Sequence, residues 1–178
     1  MTKDAEQIAS EKNAMFLGNY IVIFQHIESK LNQILQMAMG EGSWHFTQII
    51  LTELSNSSKI RIVRSILNSA LSETEDKFKQ DWLQGFNALM NKVADEAQQR
   101  NHLVHGTYDY TAAKLGGPVI CFYKKAAADG LRDKTISMTD ENCEEILEKV
   151  SGLATAMNFA FLQIISWCPD LFNDPVTG

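Results

Sequence analysis

The chain has 178 residues, enough for one compact domain with a sizeable core. Its hydrophobic fraction of 45% and charged fraction of 21% are ordinary for a soluble globular protein, and its net charge of −6 argues against indiscriminate binding to nucleic acid or anionic membranes. The three cysteines lack a paired metal-ligand spacing, the N-terminus has no apolar signal core, and no uninterrupted apolar run reaches the roughly 20 residues that span a bilayer. We therefore expect a cytoplasmic protein with reduced thiols and no membrane segment.

Three amphipathic helices are predicted in the first half of the chain, because apolar residues recur there at spacings of three or four. Residues 1–12 are polar and predict at most a loose helix, whereas a long helix is expected over about 14–39, ended by Gly40. Ser43 is the expected N-cap of a second, shorter helix. The Ser-Asn-Ser-Ser segment 55–58 breaks that helix and supplies the cap of the third.

A longer helix is predicted over about 73–104, and it carries an arginine within its apolar stripe. The apolar positions of this stripe are Phe78, Trp82, Phe86, Leu89, Val93 and Ala97. Stepping about 100° per residue places Arg100 near the middle of the stripe. A guanidinium stays charged, so this position requires a phosphate or a carboxylate, for which Glu28 is a candidate. Gly85 lies inside the same helix, and close helix packing is its expected reason.

The pattern changes after Gly106, which is expected to stop the long helix. β-Prone residues and turns over about 107–138 predict a three-stranded meander. Thr139 is the expected cap of a final helix that Pro169 ends, and a loose tail follows over 169–178. The sequence therefore predicts a mainly α protein whose 178 residues form one domain. In this domain an antiparallel bundle of four to five helices carries a small β meander before the last helix.

The end of the long helix concentrates side chains that can do chemistry. Arg100, Asn101, His102 and His105 lie close together in the chain, and they include two of its four histidines. Arginine presents a planar fork to phosphate oxygens, and histidine changes its charge near neutral pH. If the chain has a chemical site, the sequence predicts it here.

The spacing Arg100-Asn101-x-x-x-His105, followed by Gly106, resembles the motif of the HEPN superfamily. Members of that superfamily are helical bundles in which an arginine, often followed by a polar residue, precedes a histidine by four to six intervening positions. The order of elements is also similar, since a long helix and further helices precede a long helix that ends in the motif, and another helix closes the fold. The helical resemblance covers about 14–104 and 139–167, and the meander is an elaboration to which no function is assigned.

This resemblance implies a metal-independent endoribonuclease without a cofactor, of the kind found among toxins and phage-defence nucleases. In such proteins the motifs of two subunits meet across a dimer groove. The resemblance implies that Arg100 holds the scissile phosphate, that His105 acts as general acid or base, and that Asn101 orients the substrate or the histidine. The partners that it implies are RNA, a second copy of the chain and an antitoxin protein.

Two features depart from this pattern. HEPN toxins paired with nucleotidyltransferase antitoxins usually carry a tyrosine two residues after the motif histidine, whereas Tyr108 comes one residue later than that. On an ideal helix Arg100 and His105 also point about 140° apart. They can address one phosphate only if the helix unwinds near Val104, or if the two residues act in different subunits.

Further residues are candidates for RNA contact, and other functions compete with catalysis. His102, Lys59, Arg64 and Tyr108 are the remaining candidates, although a solvated basic face is the commoner role of cations such as Lys59 and Arg64. His102 and His105 lack a third metal ligand, so no metal site is predicted. The rival functions are a non-catalytic HEPN-like module that binds a protein or nucleotide, and an inert helical dimer in which the motif arginine is purely structural.

Overall fold

The architecture is mainly α. The computed structural model describes residues 4–40, 44–72, 74–127 and 130–171. Within these ranges five α-helices make up most of the chain, and a three-stranded antiparallel sheet is inserted before the last helix. The predicted fold class is therefore confirmed. The expected Ser43 cap and most of the expected loose tail lie outside the described residues.

The helices and strands follow one another in the predicted order. The helices are α1 Ala5–Met39, α2 Trp44–Glu53, α3 Asn56–Ala70, α4 Lys77–His105 and α5 Asp140–Leu171. Between α4 and α5 lie β1 Thr107–Asp109, a 3-10 helix Thr111–Leu115, β2 Val119–Ala127 and β3 Gly130–Met138. Strand β2 pairs with both other strands, so the order in the sheet is β1-β2-β3.

The chain divides into two compact units. The first unit comprises Met1–Phe24 with Gln98–Ser151, and the second comprises Gln25–Ala97 with Gly152–Gly178. Helices α1, α4 and α5 each contribute residues to both units. The sheet and the Arg-Asn-x-x-x-His motif belong entirely to the first unit. That the whole chain is a single domain remains a prediction.

An apolar core between helices holds the second unit together. Its fully buried side chains recur at helical spacing on α1, α3, α4 and α5, as amphipathic helices require. They are Ile27, Leu31, Ile34, Val63, Leu67, Met90, Val93, Met157 and Ile164. Ser55 begins α3 as predicted, because its Oγ accepts a hydrogen bond of 3.2 Å from the backbone N–H of Ser58.

The sheet of the first unit has one face that is buried over part of its length. Strand β2 runs antiparallel to β3, with Val119 opposite Met138 and Cys121 opposite Ile136. Opposite residues in a ladder, and residues two apart along a strand, share a face. Val119, Cys121 and Met138 are buried and Ile136 is half-buried, so this part of the face packs inside the unit. Both strands are nine residues long and lie within the predicted meander.

Helix α1 begins at Ala5, so the prediction that it begins near residue 14 is wrong. Its first turns are stabilised by partners that are distant in the sequence. Lys12 forms an ion pair of 3.1 Å with Asp140, and Glu6 forms one of 2.9 Å with Lys114. Asp4 also caps the helix locally, since its Oδ1 accepts a hydrogen bond of 2.8 Å from the backbone N–H of Gln7, and the polarity of the segment concealed this cap.

Helix α4 begins at Lys77, later than the predicted start near 73–74. Asp76 supplies its cap, because Oδ1 accepts a hydrogen bond of 2.9 Å from the backbone N–H of Phe78. The side chain of Phe78 was expected in the apolar stripe but is 63% exposed. A Cβ at Gly85 would meet no atom within 4 Å, so close helix packing is the wrong explanation for that glycine.

Helix α5 begins as predicted and ends later. Thr139 caps it, since its Oγ1 accepts a hydrogen bond of 3.2 Å from the backbone N–H of Asn142. The helix continues through Pro169 to Leu171, so the prediction that Pro169 ends it is wrong. The φ of proline is already close to the helical value, and its missing N–H removes only one hydrogen bond of the helix.

One helix in the described ranges, α5, is long and apolar enough to cross a membrane by length and composition. The mean hydropathy of its most apolar window is 1.3, and 33% of that window is buried inside the fold. Val150, Met157 and Ile164 of this helix are fully buried. The core helix of a soluble protein meets the same criterion, so this property does not by itself indicate a membrane span.

Candidate functional site

The motif residues occupy the last turns of α4. Arg100 is half-buried, whereas Asn101 and His105 are exposed. The Nη1 atom of Arg100 donates a hydrogen bond of 3.2 Å to Asn101 Oδ1. Asn101 was expected to orient the substrate or the histidine, and in the structure its carboxamide holds the guanidinium of Arg100.

Glu28, the carboxylate considered as a partner of Arg100, is bound by another cation. Its Oε1 atom lies 2.9 Å from Lys59 Nζ, and the two side chains are 31% and 5% exposed. No ion pair of Arg100 is present among the residues that the structure describes. The observed hydrogen bond to Asn101 leaves the other guanidinium donors of Arg100 available for a phosphate.

Helix α4 remains helical through His105, so it does not unwind near Val104, which was one of the two alternatives. Five steps of about 100° therefore leave Arg100 and His105 pointing about 140° apart. These two side chains can therefore contact the same phosphate only if they come from two different subunits.

Gly106 ends α4 as predicted, and the reason is crowding. Its φ is not positive. A Cβ at this position would lie 2.5 Å from Cys121 Sγ and 2.7 Å from the carbonyl oxygen of His102. Only a residue without a side chain lets β2 approach the end of the helix this closely. Gly106 thus allows the sheet to pack directly against the motif.

Tyr108 caps the end of the same helix. Its hydroxyl donates a hydrogen bond of 2.6 Å to the carbonyl oxygen of Leu103, one of the carbonyls that have no partner within the helix. Burial, together with the neighbouring thiol of Cys121, raises the pKa of Tyr108 far above its usual range. The hydroxyl is therefore protonated and engaged within the chain, which argues against the RNA contact predicted for Tyr108.

His102 differs from His105 in its surroundings. Its ring is half-buried and stacks on Tyr123, with the ring centroids 4.2 Å apart and the planes inclined by 24°. Burial, followed by the positive charge of Lys125, lowers the pKa of His102 from its ordinary value of 6.5. His102 is therefore a neutral stacked ring at pH 7.

The face of the sheet that carries Tyr123 also carries three cations. Lys125 lies two residues after Tyr123 on β2, and Lys134 and Arg132 lie opposite these two residues on β3. All three cations are exposed. The sequence did not reveal this surface, because the four residues share a face only once the register of the hairpin is known. We call Tyr123, Lys125, Arg132 and Lys134 the basic sheet face.

The cations of α3 are used within the second unit. Lys59 is 4% exposed and pairs with Glu28, so the expectation of a solvated side chain is wrong, and an RNA contact by Lys59 remains a prediction. Arg64 is half-buried and donates hydrogen bonds of 2.8 Å to Asn91 Oδ1 and 3.3 Å to Asn87 Oδ1. Its guanidinium therefore joins α3 to α4, and an RNA contact by Arg64 remains a prediction.

The thiols near the motif are protonated at neutral pH. Cys121 is buried and Cys143 is half-buried, and both are free. Burial raises the pKa of each thiol, which disfavours the thiolate that metals and electrophiles require. No group of three His, Cys, Asp or Glu side chains with metal-binding geometry occurs in the described part of the chain.

Comparison with known proteins does not assign the chain to a family. No family model matches it, and no curated protein or solved structure matches it either. The resemblance to the HEPN superfamily therefore rests on the motif and on the order of the helices.

Proposed function

We propose that the chain is a metal-independent endoribonuclease of HEPN type that acts as a homodimer on single-stranded or loop RNA. The observation that carries this proposal is the motif at the end of α4, where an exposed His105 follows a half-buried Arg100 held by Asn101. A phosphate-binding cation and a group that transfers protons are the two elements that RNA cleavage without a metal requires.

In the proposed reaction the ribose 2′-oxygen attacks the adjacent phosphorus. His105 takes the proton of the 2′-hydroxyl, the bond between phosphorus and the 5′-oxygen breaks, and the protonated His105 then gives this proton to that leaving oxygen. Arg100 holds the non-bridging phosphate oxygens, whose negative charge grows in the transition state. The products carry a 2′,3′-cyclic phosphate and a 5′-hydroxyl.

Two subunits are part of this mechanism because one regular helix separates the required side chains. Arg100 and His105 point about 140° apart on α4, so each phosphate would meet the arginine of one chain and the histidine of the other. In a dimer with two-fold symmetry the same arrangement occurs twice.

The basic sheet face would bind the RNA on either side of the cleaved bond. Lys125 and Lys134 attract phosphates, and an unpaired base can stack beside the neutral pair of His102 and Tyr123. The net charge of the whole chain, −6, limits indiscriminate binding to nucleic acid. This combination favours short, local contact with single-stranded RNA.

A toxin or phage-defence role in the cytoplasm, with an antitoxin as protein partner, is also part of the proposal and comes from the same resemblance. The nearest tyrosine after the motif histidine is Tyr108, whose hydroxyl is bound to the carbonyl oxygen of Leu103. An antitoxin that modifies a tyrosine would have to break this hydrogen bond first. We therefore expect any antitoxin to bind the protein without modifying Tyr108.

The first test is cleavage of RNA by the purified protein in the presence of a chelator. His105→Ala is expected to lower the rate about 100-fold or more. The matched control is His26→Ala, at an exposed histidine of α1, and it should leave the rate unchanged. Unchanged cleavage by folded His105→Ala protein would reject the proposed site. No cleavage of any RNA by the wild-type protein would favour the alternative function, a non-catalytic HEPN-like module that binds a protein or nucleotide.

The second test mixes two inactive variants to examine the composite site. Arg100→Ala and His105→Ala homodimers should each be inactive, whereas a mixed dimer contains one site with both wild-type residues. Random exchange of subunits should therefore restore about a quarter of the wild-type rate, since half of the dimers are mixed and one of their two sites is intact. A site built within one chain would give no recovery. Thermal unfolding of each variant shows whether either substitution damages the fold.

A further inference from the structure

Strand β3 forms one edge of the sheet, because the strand order is β1-β2-β3. Its residues from Gly130 to Thr135 are all exposed. Within the described ranges β3 pairs with β2 and with no other strand. The side of β3 that faces away from β2 is here called the outer edge of β3. An exposed edge of this kind presents backbone N–H and C=O groups that another extended chain can bind.

The register of the hairpin shows which backbone groups lie along the outer edge. Ala127 lies opposite Gly130, and only two residues separate them in the chain. Such a pair exchanges both backbone hydrogen bonds, and bonded pairs then recur at every second residue. The residues of β3 that direct their N–H and C=O groups away from β2 are Leu131, Asp133 and Thr135. Ser137 follows the same alternation, and its carbonyl oxygen accepts a hydrogen bond of 2.9 Å from Asn142 Nδ2.

The side chains along the outer edge differ between the two faces of the sheet. Arg132 and Lys134 lie on the basic sheet face, between the residues whose backbone groups point outward. A strand added beside β3 would place the side chains opposite these two cations on the same face, where carboxylates are favourable. On the other face Leu131 is 70% exposed and Phe122 is 42% exposed, which favours apolar or β-branched neighbours.

The charges on β3 disfavour a second copy of the chain as the added strand. In a two-fold antiparallel pair of strands, opposite residues come from the same face of the sheet. A pair of β3 strands centred on Asp133 would therefore place Arg132 opposite the partner's Lys134. Like charges in opposite positions destabilise a ladder, and charged side chains on an edge commonly prevent pairing of identical chains. The same two cations attract a strand that carries carboxylates.

We propose that the outer edge of β3 binds an extended segment of a partner protein in which acidic residues alternate with apolar or β-branched ones. The segment adds a fourth, antiparallel strand, the pairing that the sheet already uses. Its backbone pairs with Leu131, Asp133 and Thr135, and its carboxylates lie beside Arg132 and Lys134. The bound segment would cover part of the basic sheet face. This binding does not rest on the proposed function, since it requires neither RNA cleavage nor a dimer.

The first experiment uses the acetylated and amidated peptide Thr-Val-Glu-Thr-Glu-Val-Thr, which presents the same side chains in either direction. Its matched control replaces both glutamates with glutamine. Each peptide is titrated into the ¹⁵N-labelled full-length protein, and the backbone amides of Leu131, Asp133 and Thr135 report binding. We expect the acidic peptide to bind about fivefold more tightly, the ratio that two cross-strand ion pairs supply. Equal affinities, or shifts confined to other parts of the chain, would overturn the proposal.

Methylation of the peptide's backbone nitrogens tests whether it binds as a strand, and it leaves the protein unchanged. When the glutamates lie opposite Arg132 and Lys134, the N–H groups of both valines face β3 and those of both glutamates face away. Methylation of the two valine nitrogens should therefore abolish binding. Methylation of the two glutamate nitrogens should leave binding unchanged. Equal effects of the two modifications would reject pairing with the outer edge of β3.

Variants of the protein test the charge and the edge separately. Lys134→Glu should remove the preference for the acidic peptide, whereas the control Lys124→Glu, on the opposite face, should keep it. Thr135→Pro removes an outward N–H without removing a bond between β2 and β3, so it should eliminate binding of both peptides. A preference that persists in Lys134→Glu would contradict the proposal. Absence of peptide binding by the wild type would also overturn it, and shifts at these residues on adding an oligouridylate would then assign the face to RNA.

Discussion

Two groups of cations look alike in the sequence and differ in the structure. The first group lies on α3 and the second on the hairpin of β2 and β3. The members are Lys59, Arg61 and Arg64 in the first group, and Lys125, Arg132 and Lys134 in the second. Lys59 is buried against a carboxylate and Arg64 is bound by two asparagines, whereas Lys125 and Lys134 are exposed on one face of the sheet. Positive charge therefore indicates a binding surface only when the partners of each cation are known.

The difference follows from the neighbours of each element. Side chains of α3 meet α1 through Glu28 and meet α4 through Asn87 and Asn91, so their charges and donors are satisfied inside the second unit. The hairpin touches the end of α4 through Tyr123, and beyond that residue its strands carry exposed side chains. In the described residues neither Lys125 nor Lys134 has an ion-pair partner.

The first prediction concerns the buried cation of α3. Lys59→Ala should lower the free energy of unfolding by about 2 kcal/mol, because it leaves the carboxylate of Glu28 without its partner. The loss is smaller than for a fully buried pair, since Glu28 is 31% exposed. Urea denaturation measures this loss. Arg61→Ala, at an exposed position of the same helix, is the control and should change stability by less than about 0.5 kcal/mol. Equal effects of the two substitutions would show that Lys59 is solvated after all.

The second prediction concerns the exposed cations of the basic sheet face. Replacing both Lys125 and Lys134 with Gln should weaken binding of single-stranded RNA about tenfold. It should also make the slope of the logarithm of the binding constant against the logarithm of the salt concentration less steep by about 1.4. Fluorescence anisotropy in the His105→Ala background measures binding without cleavage. Lys124→Gln is the control, because Lys124 lies on the opposite face of the hairpin, across from Asp133. An equal loss in the control would mean that overall charge, and not this face, attracts RNA.

The parts of the fold that depend on nearby residues could be predicted from the sequence. Ser55 and Thr139 are caps whose acceptors bind backbone N–H groups three residues later, so a short stretch contains all the information needed. The start of α1 was missed although its cap is equally local, because Asp4 Oδ1 accepts a hydrogen bond of 2.8 Å from the backbone N–H of Gln7 within a segment that is otherwise polar. Pro169 was misleading for another reason, since proline disfavours a helix but does not forbid it.

The features of the candidate site can likewise be divided into those that a local sequence pattern predicts and those that depend on contacts between distant residues. Arg100, Asn101 and His105 follow one another on a single helix, so the motif was visible in the sequence. The contact between His102 and Tyr123 joins residues from different elements, and the basic sheet face requires the register of the hairpin. Neither relation has a local signal. The burial of Lys59 was equally invisible, because a lysine in a polar stretch normally faces water.

The third prediction tests how closely the hairpin approaches the motif. Gly106→Ala should lower the free energy of unfolding by about 1–3 kcal/mol, because the added Cβ would lie 2.5 Å from Cys121 Sγ. The control is Gly85→Ala, where the new Cβ meets open space within a helix and should raise stability by up to about 1 kcal/mol. Thermal or urea unfolding of the two variants gives the comparison. Destabilisation by Gly85→Ala, or none by Gly106→Ala, would contradict the close approach of β2 to the helix end.

The smallest expected effect is a pH dependence that comes from His102. In the fold, burial and the charge of Lys125 lower the pKa of His102 below its ordinary 6.5, so the unfolded chain binds a proton more readily. The contribution of His102 to stability is therefore complete above that ordinary value and is lost as the pH falls through the lower pKa of the folded state.

His102→Phe keeps a ring against Tyr123 but cannot titrate, so it should flatten this part of the pH profile of stability. Free energies of unfolding at about pH 7.5 and about pH 5.5 measure the difference. If wild type and His102→Phe lose equal stability between the two pH values, the pKa of His102 is the same in the folded and the unfolded chain. The description of His102 as a neutral ring stacked on Tyr123 would then be wrong.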